Sequence, residues 1–286
     1  MRYERPETIQ DATALLAGAR DKAFVLAGGT DLLVRMQSDD FDAELVVDIK
    51  SIAGMGDIVR TPDAFIIGAA VPCAALAENE ALVAAWPGIV EAANLIGSTQ
   101  IQGRCTMSGN LCNASPAADS VPALVAASAQ AKIAGPNGTR TVPVEQIPQG
   151  PGKTSLEKGE FIEAIVVPDA GAQAGDAYLR FTPRTEMDIA VVGVGVCLAL
   201  DAEGVVQSAR LALGAVGPTV VIAQDASDSI IGTKLDDAAL DAFAAAASAA
   251  SHPIDDKRGT VEFRKEVAGV LARRAARIAY TRAGGN

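Results

Sequence analysis

Residues 25–34 read V-L-A-G-G-T-D-L-L-V, a short apolar run interrupted by two glycines, a threonine and an aspartate. Consecutive glycines permit positive φ angles and carry no Cβ, so the backbone N–H groups of such a turn can converge on an anion. The stretch is neither the G-x-G-x-x-G pattern of a dinucleotide-binding turn nor a P-loop with its lysine. Residues 28–31 alone therefore leave two interpretations open, a plain surface turn or a phosphate-binding turn.

A second stretch, residues 103–124, reads G-R-C-T-M-S-G-N-L-C-N-A-S-P-A-A-D-S-V-P-A-L. It is rich in small residues and hydrogen-bonding side chains: Thr106, Ser108, Gly109, Asn110, Asn113, Ser115 and Asp119. Long segments without regular structure tend to be functional, so we predict a functional loop here. Two such segments in one domain predict a large polar ligand that is held by backbone groups and small side chains.

The 286-residue chain is acidic, since 24 Lys and Arg residues against 35 Asp and Glu residues give a formal net charge of −11. Such a surface disfavours nucleic acid and anionic lipid as partners. The chain shows neither a membrane-spanning run nor a secretory signal, so we predict a cytoplasmic protein without membrane insertion. The four cysteines form no C-x-x-C pair and His252 is the single histidine, which argues against a disulfide framework, a metal site and a resident iron–sulfur cluster.

The hydrophobic pattern predicts strands at residues 24–27, 44–49, 65–69 and 160–167, and a hairpin whose arms are residues 131–134 and 139–144. Helices are predicted at residues 74–86, 88–96 and 121–129. Residues 169–176 are predicted to be a linker or exposed loop. Beyond them, a hairpin over residues 189–213 and helices over 235–250 and 261–279 follow in order, which is typical of an α+β arrangement.

The two opening stretches together resemble the FAD-binding subunit of the xanthine dehydrogenase/carbon monoxide dehydrogenase family of molybdenum hydroxylases. The resemblance rests on A-G-G-T-D-L-L at 27–33 and T-M-S-G-N-L-C-N-A-S-P-A-A-D-S-V-P-A-L at 106–124. Three further stretches support it: R-T-E-M-D-I-A at 184–190, L-G-A-V-G-P at 213–218 and D-K-R-G-T-V-E-F-R at 256–264. These matches cover nearly the whole chain in family order.

This resemblance implies an α+β fold in two domains. Residues 1–174 would form an FAD-binding domain of the vanillyl-alcohol-oxidase type, built from two α+β subdomains. Residues 175–286 would form a smaller α+β domain like the C-terminal domain of the carbon monoxide dehydrogenase flavoprotein.

The resemblance also implies which residues hold FAD. The first stretch would wrap the pyrophosphate, and the second would hold the phosphates from the other side. Asp119 would accept from ribose or ribityl hydroxyls, Ile96 and Ile162 would pack on the cofactor rings, and Arg180 would lie near the flavin. The full predicted set is Leu26, Ala27, Gly28, Gly29, Thr30, Asp31, Leu32, Ile96, Thr106, Ser108, Gly109, Asn110, Asn113, Asp119, Ile162 and Arg180. Ser108 stands where many relatives have glycine, and a negative φ there would tolerate it.

The implied function is electron transfer. The chain would take electrons from [2Fe–2S] clusters on a small subunit, while a large molybdopterin subunit hydroxylates the substrate. The complex would be a dimer of heterotrimers, and the final acceptor (NAD⁺, dioxygen or a quinone-like molecule) stays open. FAD would be held non-covalently, because His252 lies far from both motifs in sequence. No catalytic residue is expected, since the redox chemistry belongs to the cofactor.

Two alternatives remain at this point. One is a self-contained flavin oxidase or dehydrogenase, which would need a catalytic base over the flavin, and none stands out: Glu186 and Asp188 could be read as an acid/base pair, but a solvated or inter-domain charge role suits them better. The other is a flavin-free scaffold protein of the same fold. The intact glycines at 28 and 29 argue against the scaffold, because nothing structural obviously requires them together with Asn110 and Asp119.

Overall fold

The computed structural model describes residues 1–20, 22–38, 41–184 and 187–285, and its chain begins with a small parallel sheet. The strands of this first sheet lie in the order β1–β3–β2, and two helices accompany them. The elements are β1 (Arg2–Glu4), α1 (Ile9–Gly18), β2 (Ala23–Leu26), α2 (Leu32–Arg35) and β3 (Leu45–Asp48). Thr8 begins α1, because its side chain accepts a hydrogen bond from the Asp11 N–H.

The second sheet is antiparallel, and six short helices fill the long connection between its second and third strands along the chain. Its strands are β4 (Ile58–Arg60), β5 (Ala64–Gly68), β6 (Gln130–Gly135), β7 (Gly138–Pro143) and β10 (Phe161–Pro168), in the order β4–β5–β10–β6–β7. A separate ribbon pairs β8 (Pro148–Gly150) with β9 (Lys153–Thr154). The helices are α3 (Cys73–Glu78), α4 (Glu80–Ala85), α5 (Pro87–Asn94), α6 (Thr99–Gln102), α7 (Met107–Cys112) and α8 (Ser120–Ala126).

The third sheet is an antiparallel meander followed by three helices. Its strands run in chain order: β11 (Ala174–Phe181), β12 (Val192–Leu200), β13 (Val206–Gly214) and β14 (Val221–Ile222). The helices are α9 (Gln224–Ile230), α10 (Asp237–Ala250) and α11 (Val261–Arg282). Val194 and Val196 of β12 share a buried cluster with α10 and α11.

The opposite face of the third sheet packs on α8. Gly195 of β12 makes this contact possible, because a Cβ at that position would lie 2.4 Å from the carbonyl oxygen of Pro122. Asp176 of β11 makes a second connection to the first half of the chain. Its carboxylate accepts hydrogen bonds of 3.0 Å from the N–H groups of Gly88 and Ile89 at the start of α5. The third sheet is therefore covered on both faces.

Most predicted strands and helices are confirmed to within a few residues, and three predictions needed correction. The predicted helix over 74–86 is two helices, because Asn79 ends α3 and its side chain caps α4. The predicted linker over 169–176 is shorter, since β11 already begins at Ala174 and Asp176 is buried. The predicted loop over 103–124 is partly helical, because it contains α7 and the beginning of α8. The domain boundary at 174/175 stays a prediction.

Among the described residues, no helix is both long enough and apolar enough to cross a membrane.

Candidate functional site

A cavity of about 330 Å³ opens between the first sheet and the second sheet. The glycine turn after β2, the start of α7 and the start of β10 form its walls. All the predicted site residues line it except Leu26, Asp119 and Arg180. The structure therefore brings residues of both sequence stretches together in the wall of one cavity.

The glycine turn presents a row of unused backbone donors to this cavity. The N–H groups of Gly29, Thr30, Asp31 and Leu32 have no acceptor among the residues that the structure describes. Gly29 has a φ of +81°, a conformation that side chains rarely adopt. Because α2 begins directly after the turn, these donors also lie at the positive end of its short dipole. Such an arrangement fits a phosphate group.

Gly28 lets the two stretches approach each other. A Cβ at this position would lie 2.2 Å from the carbonyl oxygen of Arg104, far inside any permitted contact. Asn113 adds a second connection, because its Nδ2 donates a hydrogen bond of 3.2 Å to Oδ1 of Asp31. The turn and the segment before α7 thus form one continuous wall of the cavity.

The second stretch is organised by its own small polar side chains. Thr106 begins α7, since its Oγ1 accepts a hydrogen bond of 2.9 Å from the Gly109 N–H. Asn110 connects α7 to α8 by accepting hydrogen bonds from the N–H and the hydroxyl of Ser120, at 3.2 and 2.7 Å. The N–H groups of Met107 and Ser108 have no acceptor in the described part of the chain. Ser108 is buried in the helix and has no positive φ, so serine fits where relatives have glycine.

Two cations near the turn escaped the sequence analysis. Lys50 donates a hydrogen bond of 3.1 Å to the carbonyl oxygen of Ala27 and pairs with Asp48 at 2.8 Å. Arg35 lines the cavity from the last turn of α2, and its guanidinium lies 5.3 Å from the ring centroid of Phe41. The sequence feature that could have identified Arg35 is its position one helical turn after Asp31. Arg35 favours an anionic ligand in the cavity, whereas the charge of Lys50 is paired with Asp48 and its hydrogen bond holds the turn.

Apolar side chains make up a large share of the cavity lining. Ile96 and Ile162 both line the cavity, and their packing on the cofactor rings stays a prediction. Besides Arg35, the lining residues that the sequence analysis missed are Ala23, Phe24, Val25, Ile49, Ala69, Cys105, Cys112, Thr154, Leu156, Glu160 and Phe161. The carboxylate of Glu160 is bound by Arg140 at 2.7 Å, which lowers its pKa.

Asp119 and Arg180 lie in a buried network outside the cavity lining. Asp119 accepts hydrogen bonds from the Tyr178 hydroxyl at 2.8 Å and from Nη1 of Arg180 at 2.7 Å. Burial raises the pKa of Asp119 to about 6, and the charge of Arg180 opposes this shift. Arg180 also donates a hydrogen bond of 2.9 Å to the carbonyl oxygen of Leu95, the neighbour of Ile96. Leu26 is likewise buried outside the lining, in a small cluster with Val46.

The carboxylates considered for a catalytic base lie outside the cavity lining or outside the described residues. Glu186 belongs to the residues that the structure does not describe. Asp188 pairs with Arg184 at 3.4 Å, and hydrogen bonding by Arg184 lowers the pKa of its carboxyl group. A carboxylate held in its ionised form by an arginine is a poor proton acceptor.

Both halves of the chain match known families. Residues 1–170 match the family described as FAD binding domain in molybdopterin dehydrogenase, and residues 177–279 match the CO dehydrogenase flavoprotein C-terminal domain. The first match covers more than half of the chain.

Relatives of similar length match over almost the whole chain. The carbon monoxide dehydrogenase medium chain of Afipia carboxidovorans is 34% identical over 281 residues, which is 98% of this chain and 97% of the relative. The xanthine dehydrogenase FAD-binding subunit of Escherichia coli O157:H7 is 31% identical over 285 residues, which is 99% of this chain and 97% of the relative.

A solved structure confirms the predicted fold class. A chain of reconstituted CO dehydrogenase from Oligotropha carboxidovorans superposes with a TM-score of 0.92 at 34% identity, covering 98% of this chain and 97% of that one. The N–H groups of the glycine turn fit the phosphates of FAD, and the apolar residues of the lining fit its ring system. The chain therefore belongs to the family of FAD-binding medium subunits of carbon monoxide dehydrogenase- and xanthine dehydrogenase-type molybdenum hydroxylases.

Proposed function

We propose that the chain binds FAD non-covalently in this cavity and transfers electrons through it. The observation that carries the proposal is the row of N–H groups from Gly29 to Leu32 without an acceptor in the described chain, in a turn that lines the cavity and that Gly28 brings against Arg104. The start of α2 leaves its first N–H groups without an intrahelical partner, and an anion in the cavity would pair with them. A pyrophosphate supplies the missing acceptors.

The proposed roles follow the position of each residue. The glycine turn and the start of α7 hold the pyrophosphate from two sides, Arg35 adds positive charge near it, and Lys50 holds the backbone of the turn. Ile96 and Ile162 exclude water from the flavin ring. Asp119 and Arg180 act on the cavity indirectly, because Arg180 fixes the backbone of Leu95, which precedes the lining residue Ile96. A direct contact of Asp119 with the cofactor stays a prediction.

FAD supplies the redox chemistry when bound, because it can accept an electron pair and release electrons singly or together. The chain's own contribution is to bind and orient it. Among the described residues, the carboxylates that line the cavity are Asp31 and Glu160, and each is engaged, by Asn113 and Arg140 respectively. A free base over the flavin is thus missing from the described lining, which favours an electron-transfer subunit over a self-contained oxidase.

We further propose the assembly that the relatives suggest. Relatives are named medium chain or FAD-binding subunit, so they work as parts of larger enzymes. By this proposal, a small subunit with [2Fe–2S] clusters delivers electrons and a large molybdopterin subunit hydroxylates the substrate, in a dimer of heterotrimers. The final acceptor remains NAD⁺, dioxygen or a quinone-like molecule. A cytoplasmic location, predicted from the sequence, is part of the proposal.

The test of flavin binding is an absorption spectrum of the purified chain before and after denaturation. We expect a flavin spectrum that passes into the filtrate when the denatured protein is removed. Flavin that stays with the denatured chain would contradict non-covalent binding. A chain that takes up no flavin, either alone or when co-expressed with its partner subunits, would overturn the proposal.

Gly28→Ala tests whether the turn is the binding element. The added Cβ would meet the Arg104 carbonyl oxygen at 2.2 Å and force the turn away from the start of α7. We expect the affinity for FAD, measured by fluorescence quenching, to fall at least about tenfold, which corresponds to roughly 1.4 kcal/mol. The matched control is Gly103→Ala, because a Cβ there meets nothing within 4 Å. Equal affinity of the two variants would contradict the assignment.

A further inference from the structure

Cys73 and Cys105 meet at the wall of the cavity although they are far apart in sequence. The N–H of Cys73 donates a hydrogen bond of 2.8 Å to the carbonyl oxygen of Cys105. This single backbone hydrogen bond makes the two residues direct neighbours, although neither belongs to a strand. A disulfide requires α-carbons about 4.4–6.8 Å apart, a spacing that directly hydrogen-bonded residues can reach.

The two thiols of this pair are chemically unequal. A hydrogen bond between them lowers the pKa of Cys105 and raises the pKa of Cys73. Cys105 is also the member of the pair that lines the cavity, so an oxidant in the cavity meets its sulfur first, and the thiolate is the form that attacks. Cys73 keeps its proton and lies beside it as a second thiol.

The remaining cysteines provide an internal comparison. Burial raises the pKa of Cys112 to about 12 and that of Cys197 to about 12. Cys112 lines the same cavity as Cys105, so the two differ in thiol chemistry rather than in access to the cavity. Neither Cys112 nor Cys197 has another cysteine as a cause of its shift.

The place of Cys105 restricts the oxidant that can reach it. Cys105 is 2% exposed and Cys73 is fully buried, which excludes bulky reagents. Cys105 nevertheless lines the cavity, where a molecule little larger than water can enter. Hydrogen peroxide has this size, and it is the product expected if dioxygen takes an electron pair from a flavin in this cavity.

We propose that Cys105 and Cys73 are a peroxide-reactive pair that closes to a disulfide at the flavin cavity. The Cys105 thiolate attacks one peroxide oxygen, the O–O bond breaks, and a sulfenic acid and hydroxide form. The Cys73 sulfur then displaces the sulfenic hydroxyl group, forming the S–S bond, and the two protons leave in water. In sum, two thiols and one hydrogen peroxide give one disulfide and two water molecules.

The experiment treats the purified chain with hydrogen peroxide and alkylates the remaining thiols under denaturing conditions. We expect the number of alkylated thiols to fall from four to two, with mass spectrometry finding one peptide pair joined through Cys73 and Cys105. A reductant should restore all four. In Cys73→Ala, dimedone added together with the denaturant should trap the sulfenic acid on Cys105, because the second thiol is missing. Circular dichroism checks that the variant is folded. The disulfide itself is detected in the wild-type chain, so this part of the test does not depend on how the variant folds.

The matched comparison is Cys112→Ala, which should form the disulfide as the wild type does. Oxidation of Cys112 at the same rate as Cys105, or the absence of a linkage between residues 73 and 105, would overturn the inference. The experiment uses the chain with and without added FAD, and the linkage is expected in the flavin-free sample. Its failure is therefore distinct from a failure of flavin binding.

Discussion

At the scale of single residues, the charge of Arg180 decides how well the protein tolerates the buried carboxylate of Asp119. The pKa of Asp119 is raised to about 6 in the folded chain, above its unfolded value, so the folded state binds this proton more tightly. The resulting stability is complete below pH 4 and is lost as the pH rises through about 6. Arg180 limits this loss, because its side chain is 7% exposed and lies 2.7 Å from the carboxylate.

Arg180→Met should therefore destabilise the protein more at high pH than at low pH. Without the guanidinium, the pKa of Asp119 rises further, and an unpaired buried carboxylate costs about 3 kcal/mol. We expect a loss of this size in the free energy of unfolding at pH 8 and roughly half of it at pH 5, measured by urea titration. The control is Arg60→Met, which breaks an exposed pair and should change stability equally at both pH values. A loss that is independent of pH would refute the account.

At the scale of elements, the packing of α8 on the third sheet depends on Gly195. We expect Gly195→Ala to lower the free energy of unfolding by about 2–3 kcal/mol, because the new Cβ would lie 2.4 Å from the backbone of Pro122. Urea unfolding measures this loss. Gly56→Ala is the control, since its Cβ meets nothing within 4 Å, and it should change stability by less than about 1 kcal/mol. Similar stability of both variants would show that α8 can shift without cost.

The helix α7 shows why part of the site could not be read as structure from the sequence. Gly109 and Asn110 are poor helix formers, so the segment was predicted to be a loop. Its helical state is supplied by tertiary contacts instead: the Thr106 cap, the bonds from Ser120 to Asn110 and the burial of Leu111. The polar composition correctly indicated that the segment belongs to the cavity wall. Its low helix propensity did not predict the helical conformation.

At the scale of the whole molecule, the two halves are joined closely enough to unfold together. We expect a single transition in calorimetry of the flavin-free chain, because the third sheet packs on α8 on one face and on α10 and α11 on the other. Two resolved transitions would contradict this expectation.

The buried carboxylate of Asp176 offers a second test of the contact between the two halves of the chain. Asp176→Ala removes the two hydrogen bonds to the start of α5 and should cost about 2 kcal/mol while keeping a single transition. Asp225→Ala is the control, because Asp225 is an exposed carboxylate in the first turn of α9. A stability change of equal size in both variants would argue against a stabilising contact between the two halves at Asp176.

The fold and the core of the site could be predicted because they depend on local motifs. The glycine turn and the polar stretch carry their chemistry within a few residues each, and the fold followed from the family that these motifs indicate. What escaped prediction depends on residues distant in sequence: the Lys50 contact with Ala27, the Tyr178 bond to Asp119 and the meeting of Cys73 with Cys105. No spacing in a single sequence encodes such pairs.

The close approach of Gly28 to Arg104 also bears on how the flavin is acquired. The turn and the segment before α7 are held together by contacts of the chain itself: this close approach and the hydrogen bond from Asn113 to Asp31. Such contacts reduce the conformational entropy that the turn loses on binding, so more of the interaction free energy appears as affinity for the flavin. In this sense the polypeptide preorganises the turn for its coenzyme.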